Sequence, residues 1–194
     1  TSYAFSSAIF AKSLILINMI KLYNRFMNVT GIIVEYNPFH NGHLKQIRKA
    51  LLRGDVGLSA QMLGYRYRLW GEVVKGRQVG RQLGFPTANV CLDDASKVLP
   101  ADGVYAVRVV LPDGGVRMGM ANFGGQPTFG LEKPVFEVNI FDFDGDLYGS
   151  TLSVEFVERL RDVCKFNGVE ALVAQLNKDR EDARMQLRGV VGEV

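Results

Sequence analysis

GVYAVRVVLPDGGVRMGMANF, residues 103–123, decides the fold. Two apolar, β-branched runs flank Pro112-Asp113-Gly114-Gly115, a cluster that reverses the chain between strands. The same texture extends outward from this hairpin. RLWGEVV (68–74) and PTANVCL (86–92) precede it, and VFEVNIFDF (135–143) and STLSVEFVERL (150–160) follow it. Asp144-Gly145-Asp146 reads as a second, acidic hairpin turn. About six short strands with no helical pattern between them predict a closed antiparallel barrel rather than a parallel sheet.

Helices flank the strands. Residues 44–63 read as helical with a break near Gly54; Ile47, Leu51 and Leu52 form one apolar face, and Leu58, Met62 and Leu63 continue it. Val169, Leu172, Val173 and Leu176 follow i, i+3, i+4, i+7 spacing and predict a closing helix. Asn167 with Glu170 three residues on resembles a capping box. Gly31–Tyr36 (GIIVEY) reads as a short buried strand. Ile9–Tyr23 is apolar but interrupted by Lys12, Asn18 and Lys21, too short and broken to span a membrane. It reads either as a packed helix or as a leader ahead of Met27.

Composition excludes several classes. In 194 residues, 47% are hydrophobic and 22% charged, as in ordinary globular proteins. The net charge of +3 admits a nucleotide but lacks the dense basic patch of a nucleic-acid binder. Two cysteines, Cys91 and Cys164, stand far apart without CxxC spacing. A disulfide scaffold or zinc site is not indicated, and a reducing cytoplasm is expected.

Four stretches carry candidate chemistry. GRQVGRQLGFPTAN (76–89) is neither a phosphate-binding P-loop nor a dinucleotide fingerprint. Its glycines 76, 80 and 84 let backbone amides approach an anion, and Lys75, Arg77 and Arg81 add charge. A hairpin loop with solvated arginines is the plainer alternative. Thr87 and Asn89 are two apart on a strand, so both side chains leave one face. Their neutral oxygens suit Mg²⁺ that is also held by phosphate; a wet polar strand face is the alternative. In VFEVNIF, Phe136, Val138 and Ile140 alternate with Glu137 and Asn139, so one face is core and the other carries a carboxylate. Glu137 is a candidate base for a hydroxyl in phosphoryl transfer, or simply an exposed strand residue. DFDGD (142–146) has its glycine at the wrong position for a calcium loop. PFHNGH (38–43) places His40 and His43 in a turn before a helix, where they would hold a triphosphate or form a surface turn.

PTANV, ANFGGQPTFG, FEVNIFDFDGDLYG and LRDVCKFNGVEAL, in this order, resemble the riboflavin kinase module of bacterial bifunctional FAD synthetases. The resemblance covers about residues 66–187. It implies a six-stranded Greek-key barrel with a C-terminal helix, and ATP-dependent phosphorylation of the riboflavin ribityl 5′-hydroxyl to give FMN. It implies Thr87 and Asn89 at the metal and phosphates, with Gly76, Gly80, Arg81, Gly84, Phe85 and Pro86 at ATP. It implies Glu137 as catalytic base. Asn122, Glu137, Arg161 and Phe166 are implied at the flavin, with Arg161 in a closing loop. Asn139 stands where relatives often have histidine, and Val163-Cys164 where they often have charged residues.

IRKALLRGDVGLSAQMLGYRY resembles the segment that joins an adenylyltransferase domain to the kinase. MNVTGIIVEYNPFHNGHL resembles the start of a nucleotidyltransferase, nearest the bacterial tRNA cytidine acetate ligases. One strand and one turn cannot build that domain's doubly wound sheet. The expected organisation is therefore an appendage at 1–43, a helical joining segment at 44–65 and a kinase barrel at 66–190. The appendage is expected to pack on the barrel, to pair with a neighbouring chain or to be poorly ordered, and its apolar residues favour self-association over free solvation. The partners implied are riboflavin/FMN and ATP/ADP with Mg²⁺ or another divalent cation, and neither nucleic acid nor membrane. The alternatives are a full FAD synthetase and a catalytically inactive flavin- or nucleotide-binding barrel.

Overall fold

The computed structural model describes residues 41–76, 78–94, 96–124 and 135–190. The GIIVEY strand, the apolar leader, Met27, His40 and Arg77 lie outside the described residues, as does most of ANFGGQPTFG. Strands β3 (Gly103–Val110) and β4 (Val116–Phe123) pair antiparallel in continuous register from Gly103↔Phe123 to Val110↔Val116. Their turn is closed by Leu111 N–H donating to the Gly115 carbonyl at 2.8 Å, and Asp113 Oδ1 accepts from Gly115 N–H at 2.8 Å. Gly114 sits at φ +84°, a left-handed conformation in which a side chain is strained.

The other strands are β1 (Arg68–Val74), β2 (Ala88–Leu92), β5 (Val135–Ile140) and β6 (Thr151–Arg161). They close a barrel in the order β1-β2-β5-β4-β3-β6, with every described pairing antiparallel. Closure removes the unpaired edges that an open sheet would expose. Strands β5 and β6 are not neighbours in this order. The acidic stretch 142–146 is therefore not a hairpin turn: it belongs to a connection from β5, between β2 and β4, to β6, between β1 and β3. Asp142 begins it at φ +52°.

Alternation along the strands sorts the core. The aromatic centre holds Tyr105 edge-on to Phe156 at 5.3 Å and Phe123 beside Phe136 at 5.0 Å. Leu69, Leu92, Val107, Val109, Leu152 and Val154 fill the remaining space. Every residue of β3 from Gly103 to Val109 is buried, because its outer face is also covered. A second apolar layer lies there: Ala106, Met120, Phe85 and Phe141 pack with Ala183 and Leu187 of the C-terminal helix. On that outer face Arg108 is buried against Glu155 at 3.2 Å.

Before the barrel come helices α1 (Asn41–Leu52) and α2 (Val56–Leu63). Gly54 at φ +79° makes the break, and Asp55 caps α2 by accepting from Leu58 N–H at 2.9 Å. Their buried face differs from the expected one. Ile47, Ala50, Leu51, Val56 and Ser59 are buried, whereas Leu52 and Leu58 are exposed. The turn at Gly54 rotates the second helix relative to the apolar stripe of the first. Ser59 is tolerated inside because its hydroxyl donates to the Val56 carbonyl at 2.8 Å.

A short helix α3 (Val79–Gln82) interrupts the β1–β2 connection, and α4 (Val169–Leu187) closes the described chain. Its N-cap is Gly168 at φ +129°, with no side-chain cap. The expected Asn167 capping box is therefore absent, since the glycine conformation turns the chain away from cap geometry.

Candidate active site

Strand register assembles the site from residues far apart in sequence. Asn89 on β2 pairs with Glu137 on β5, Glu137 with Asn122 on β4, Asn122 with Val104 on β3, and Val104 with Arg161 on β6. Paired residues project from one face, and directly opposed Cβ atoms lie about 4.5–5.5 Å apart. A row running amide, carboxylate, amide, valine, guanidinium thus crosses the outside of the barrel. Helix α4 stands over it. Thr87, Asn122, Glu137, Arg161 and Phe166 line a cleft of about 200 Å³ whose far wall is Leu172, Leu176 and Asp179.

A larger cavity, about 700 Å³, adjoins this cleft. It is lined by Arg81, Pro86 and Thr87 on one side and by the β5–β6 connection from Phe143 to Tyr148 on the other. Gln78, itself at φ +55°, donates from Nε2 to the Tyr148 hydroxyl at 2.9 Å and ties the two loops together. Thr87 belongs to both cavities and is the border between them.

The glycine loop shapes that border. A Cβ on Gly76 would collide with the Asn89 amide, and one on Gly80 would strike the Phe85 carbonyl and reach Thr87 Oγ1 at 3.4 Å. Glycine is thus required where the loop lies against Asn89 on β2 and against Phe85 and Thr87 ahead of it. Gly80 also accepts from Phe85 N–H at 2.8 Å, closing a tight turn. Asn139 Nδ2 donates to the Pro86 carbonyl at 2.7 Å and pins the entry of β2.

These donors suit one kind of cation. No group of three His, Cys, Asp or Glu side chains able to hold a metal occurs among the described residues. Thr87 and Asn89 offer neutral oxygens only. They fit a hard divalent ion that arrives with its charge already balanced by phosphate, not one held by a carboxylate cage.

Comparison with known proteins then decides the family. The Flavokinase family, described as riboflavin kinase, matches residues 63–187. The chain belongs to the riboflavin kinase family. The match runs from the end of α2 to the last residue of α4, so it contains the barrel, the glycine loop and the helix over the cleft. The HIGH nucleotidyl transferase family matches residues 27–56. The bifunctional riboflavin kinase/FMN adenylyltransferase of Bacillus subtilis is 44% identical over 140 residues, covering 71% of this chain and 44% of that protein. Its counterpart in Haemophilus influenzae is 41% identical over 138 residues, with the same coverage. A crystal structure from Streptococcus pneumoniae, described as a macrolide-efflux protein, matches with TM-score 0.67 and 44% identity over 72% of this chain and 45% of that one. The chain spans less than half the length of these relatives. Among the described residues, no helix is long and apolar enough to cross a membrane.

Within the riboflavin kinase barrel, the sequence-predicted residues fall into groups. Gly80, Phe85, Thr87, Asn122, Glu137, Arg161 and Phe166 share the smaller cleft. Arg81, Pro86 and Thr87 share the larger cavity. Gly84, at φ +80°, lines a third cavity of about 310 Å³ with Arg180 and Arg184. Gly76 and Asn89 line none of these three cavities. The Phe85 ring is only 4% exposed, packed in the layer under α4 with the Arg180 guanidinium 4.1 Å above it. That ring anchors the loop. Arg161 is not in a loop: it is the last residue of β6 and forms a two-pronged ion pair with Asp179, Nε–Oδ1 2.8 Å and Nη2–Oδ2 2.7 Å. Hydrogen bonding to that carboxylate, foremost, raises the Arg161 pKa above its already high ordinary value. Asn41 to His43 form the first turn of α1 rather than a turn ahead of it.

Sequence reading missed Asp179, Asn139 as a brace, and the Gln78–Tyr148 bond. Only Asp179 left a signal: Leu172, Leu176 and Asp179 share one helical face, and an acid on an apolar face needs a buried cation.

Proposed function

We propose that this protein transfers the γ-phosphoryl group of ATP to the ribityl 5′-hydroxyl of riboflavin, giving FMN and ADP. The single observation that carries the reading is the meeting of two cavities at Thr87, with Glu137 across the ladder from Asn89. The larger cavity takes the nucleotide, and the cleft under α4 takes the flavin. Family membership supports this assignment.

In this reading the chain supplies positioning and charge. Backbone amides around Gly80, together with Arg81, hold the triphosphate. Thr87 and Asn89 hold the divalent ion that accompanies it, Mg²⁺ in this reading, which neutralises charge on the phosphate oxygens when bound. Glu137 accepts the 5′-hydroxyl proton as that oxygen bonds to the γ-phosphorus and the bond to the ADP oxygen breaks. Arg161 and Phe166 orient the isoalloxazine end.

The assay is incubation with ATP, Mg²⁺ and riboflavin followed by separation of the flavins. FMN is the expected product. Riboflavin bound without conversion would overturn the kinase reading. The nucleotidyl transferase match over residues 27–56 favours a second reading, adenylylation of FMN. Formation of FAD from FMN and ATP would establish it.

A further inference from the structure

We propose that Asp179 is a positioning residue that clamps Arg161 in the orientation the flavin cleft requires. The inference rests on the riboflavin kinase reading above and adds a residue on α4 to its machinery. Asp179 is 1% exposed, and it is the buried carboxylate among the described residues. A carboxylate so placed is strongly disfavoured unless its oxygens are met by donors. Here three donors meet it: Arg161 Nε at 2.8 Å, Arg161 Nη2 at 2.7 Å and Gln175 Nε2 at 2.8 Å.

The two parallel bonds set the plane of the guanidinium as well as its position. Arg161 Nη1 donates to the Asp162 carbonyl at 2.8 Å and lies 3.4 Å from Cys164 Sγ. One Nη2 hydrogen then has no partner in these contacts. The guanidinium carbon lies 5.7 Å from the centre of the Phe166 ring. Arg161, Phe166 and Asp179 all line the same narrow cleft. A planar cation beside an aromatic ring suits a flat, polar-edged ring system such as a flavin. An unclamped arginine would sample several rotamers, and each binding event would have to order it again.

The same ion pair also fastens α4 to the barrel, so a purely structural role must be separated from a positioning one. The test measures riboflavin affinity by flavin fluorescence and KM for MgATP, on the full chain, for Asp179→Asn, Arg161→Ala and the double variant. Expected for Asp179→Asn is riboflavin binding about tenfold weaker, with KM for MgATP changed less than about twofold. In the Arg161→Ala background, Asp179→Asn should weaken riboflavin no further. An equal added loss in that background, or a matching rise in KM for MgATP, would overturn the proposal. Should Asp179→Asn not fold, Gln175→Ala removes only the third bond. It should weaken riboflavin about two- to threefold in the parent and not at all beside Arg161→Ala; unchanged affinity in the parent background would overturn the proposal. A parent that binds riboflavin without making FMN overturns the kinase reading, while these affinities still decide Asp179. A parent that binds no riboflavin overturns both.

Discussion

Glu137 stands exposed on β5, flanked across the ladder by Asn89 and Asn122. Its neighbours Phe136 and Val138 are buried, so exchanging the carboxylate for an amide leaves the core untouched. Glu137→Gln is expected to cost ~10²–10⁴ in FMN formation without a change in thermal stability. Near-normal turnover would remove it from the reaction. Thr87 and Asn89 make a coupled prediction. If both hold one ion–nucleotide complex, Thr87→Ala and Asn89→Ala should each raise KM for MgATP, and the double variant should lose less than the two separate losses combined. Strict additivity would argue for two independent roles. Spacing by two in a strand-like stretch singled out this pair, yet β2 begins at Ala88, so Thr87 lies ahead of the strand that carries Asn89. Thr87 lines both cavities and Asn89 lines neither. Asn139 was legible as a polar residue but not as a brace, since its acceptor at Pro86 lies 53 positions away.

At the scale of elements, the β1–β2 connection is the part most sensitive to small changes. A Cβ on Gly76 would meet the Asn89 amide on β2, and one on Gly80 would meet the Phe85 carbonyl just ahead of that strand. Gly80→Ala is expected to displace the loop rather than unfold the barrel. The measurable outcome is a rise in KM for MgATP of at least about tenfold with less than about 2 kcal/mol lost from stability. A variant with parental KM would show that the loop does not touch nucleotide. Two of the elements misread in sequence failed for one reason: local signals cannot see partners. The acidic 142–146 stretch has turn composition, yet strand order makes it a connection between non-adjacent strands. Asn167 and Glu170 have capping-box spacing, yet Gly168 takes the cap with a backbone no capping side chain adopts.

Across the whole molecule, burial of tyrosines on and before the barrel is expected to weaken the fold at alkaline pH. Tyr67 is 8% exposed and donates to the Val98 carbonyl at 2.7 Å, and burial, the largest influence, pushes its pKa to about 12. Burial likewise raises Tyr65 and Tyr105. In an unfolded chain tyrosine ionises near pH ~10. The folded state therefore holds these protons more tightly: the contribution is whole below pH ~10 and is lost as pH climbs toward about 12. The melting temperature should fall across that window, and Tyr67→Phe, though less stable at neutral pH, should fall less steeply. Parallel profiles would assign the alkaline loss elsewhere. By itself the sequence determined the six strands, the helix break at Gly54, the closing helix and the polar candidates on β2 and β5, because alternation, glycine and turn chemistry act over a few residues. Tertiary structure alone decided which strands are neighbours. That choice brings Asn89, Glu137, Asn122 and Arg161 into one row and buries Asp179 beside it. Ladder pairing and burial join residues tens of positions apart, and no local pattern records which distant segment satisfies a hydrogen bond or covers an apolar face.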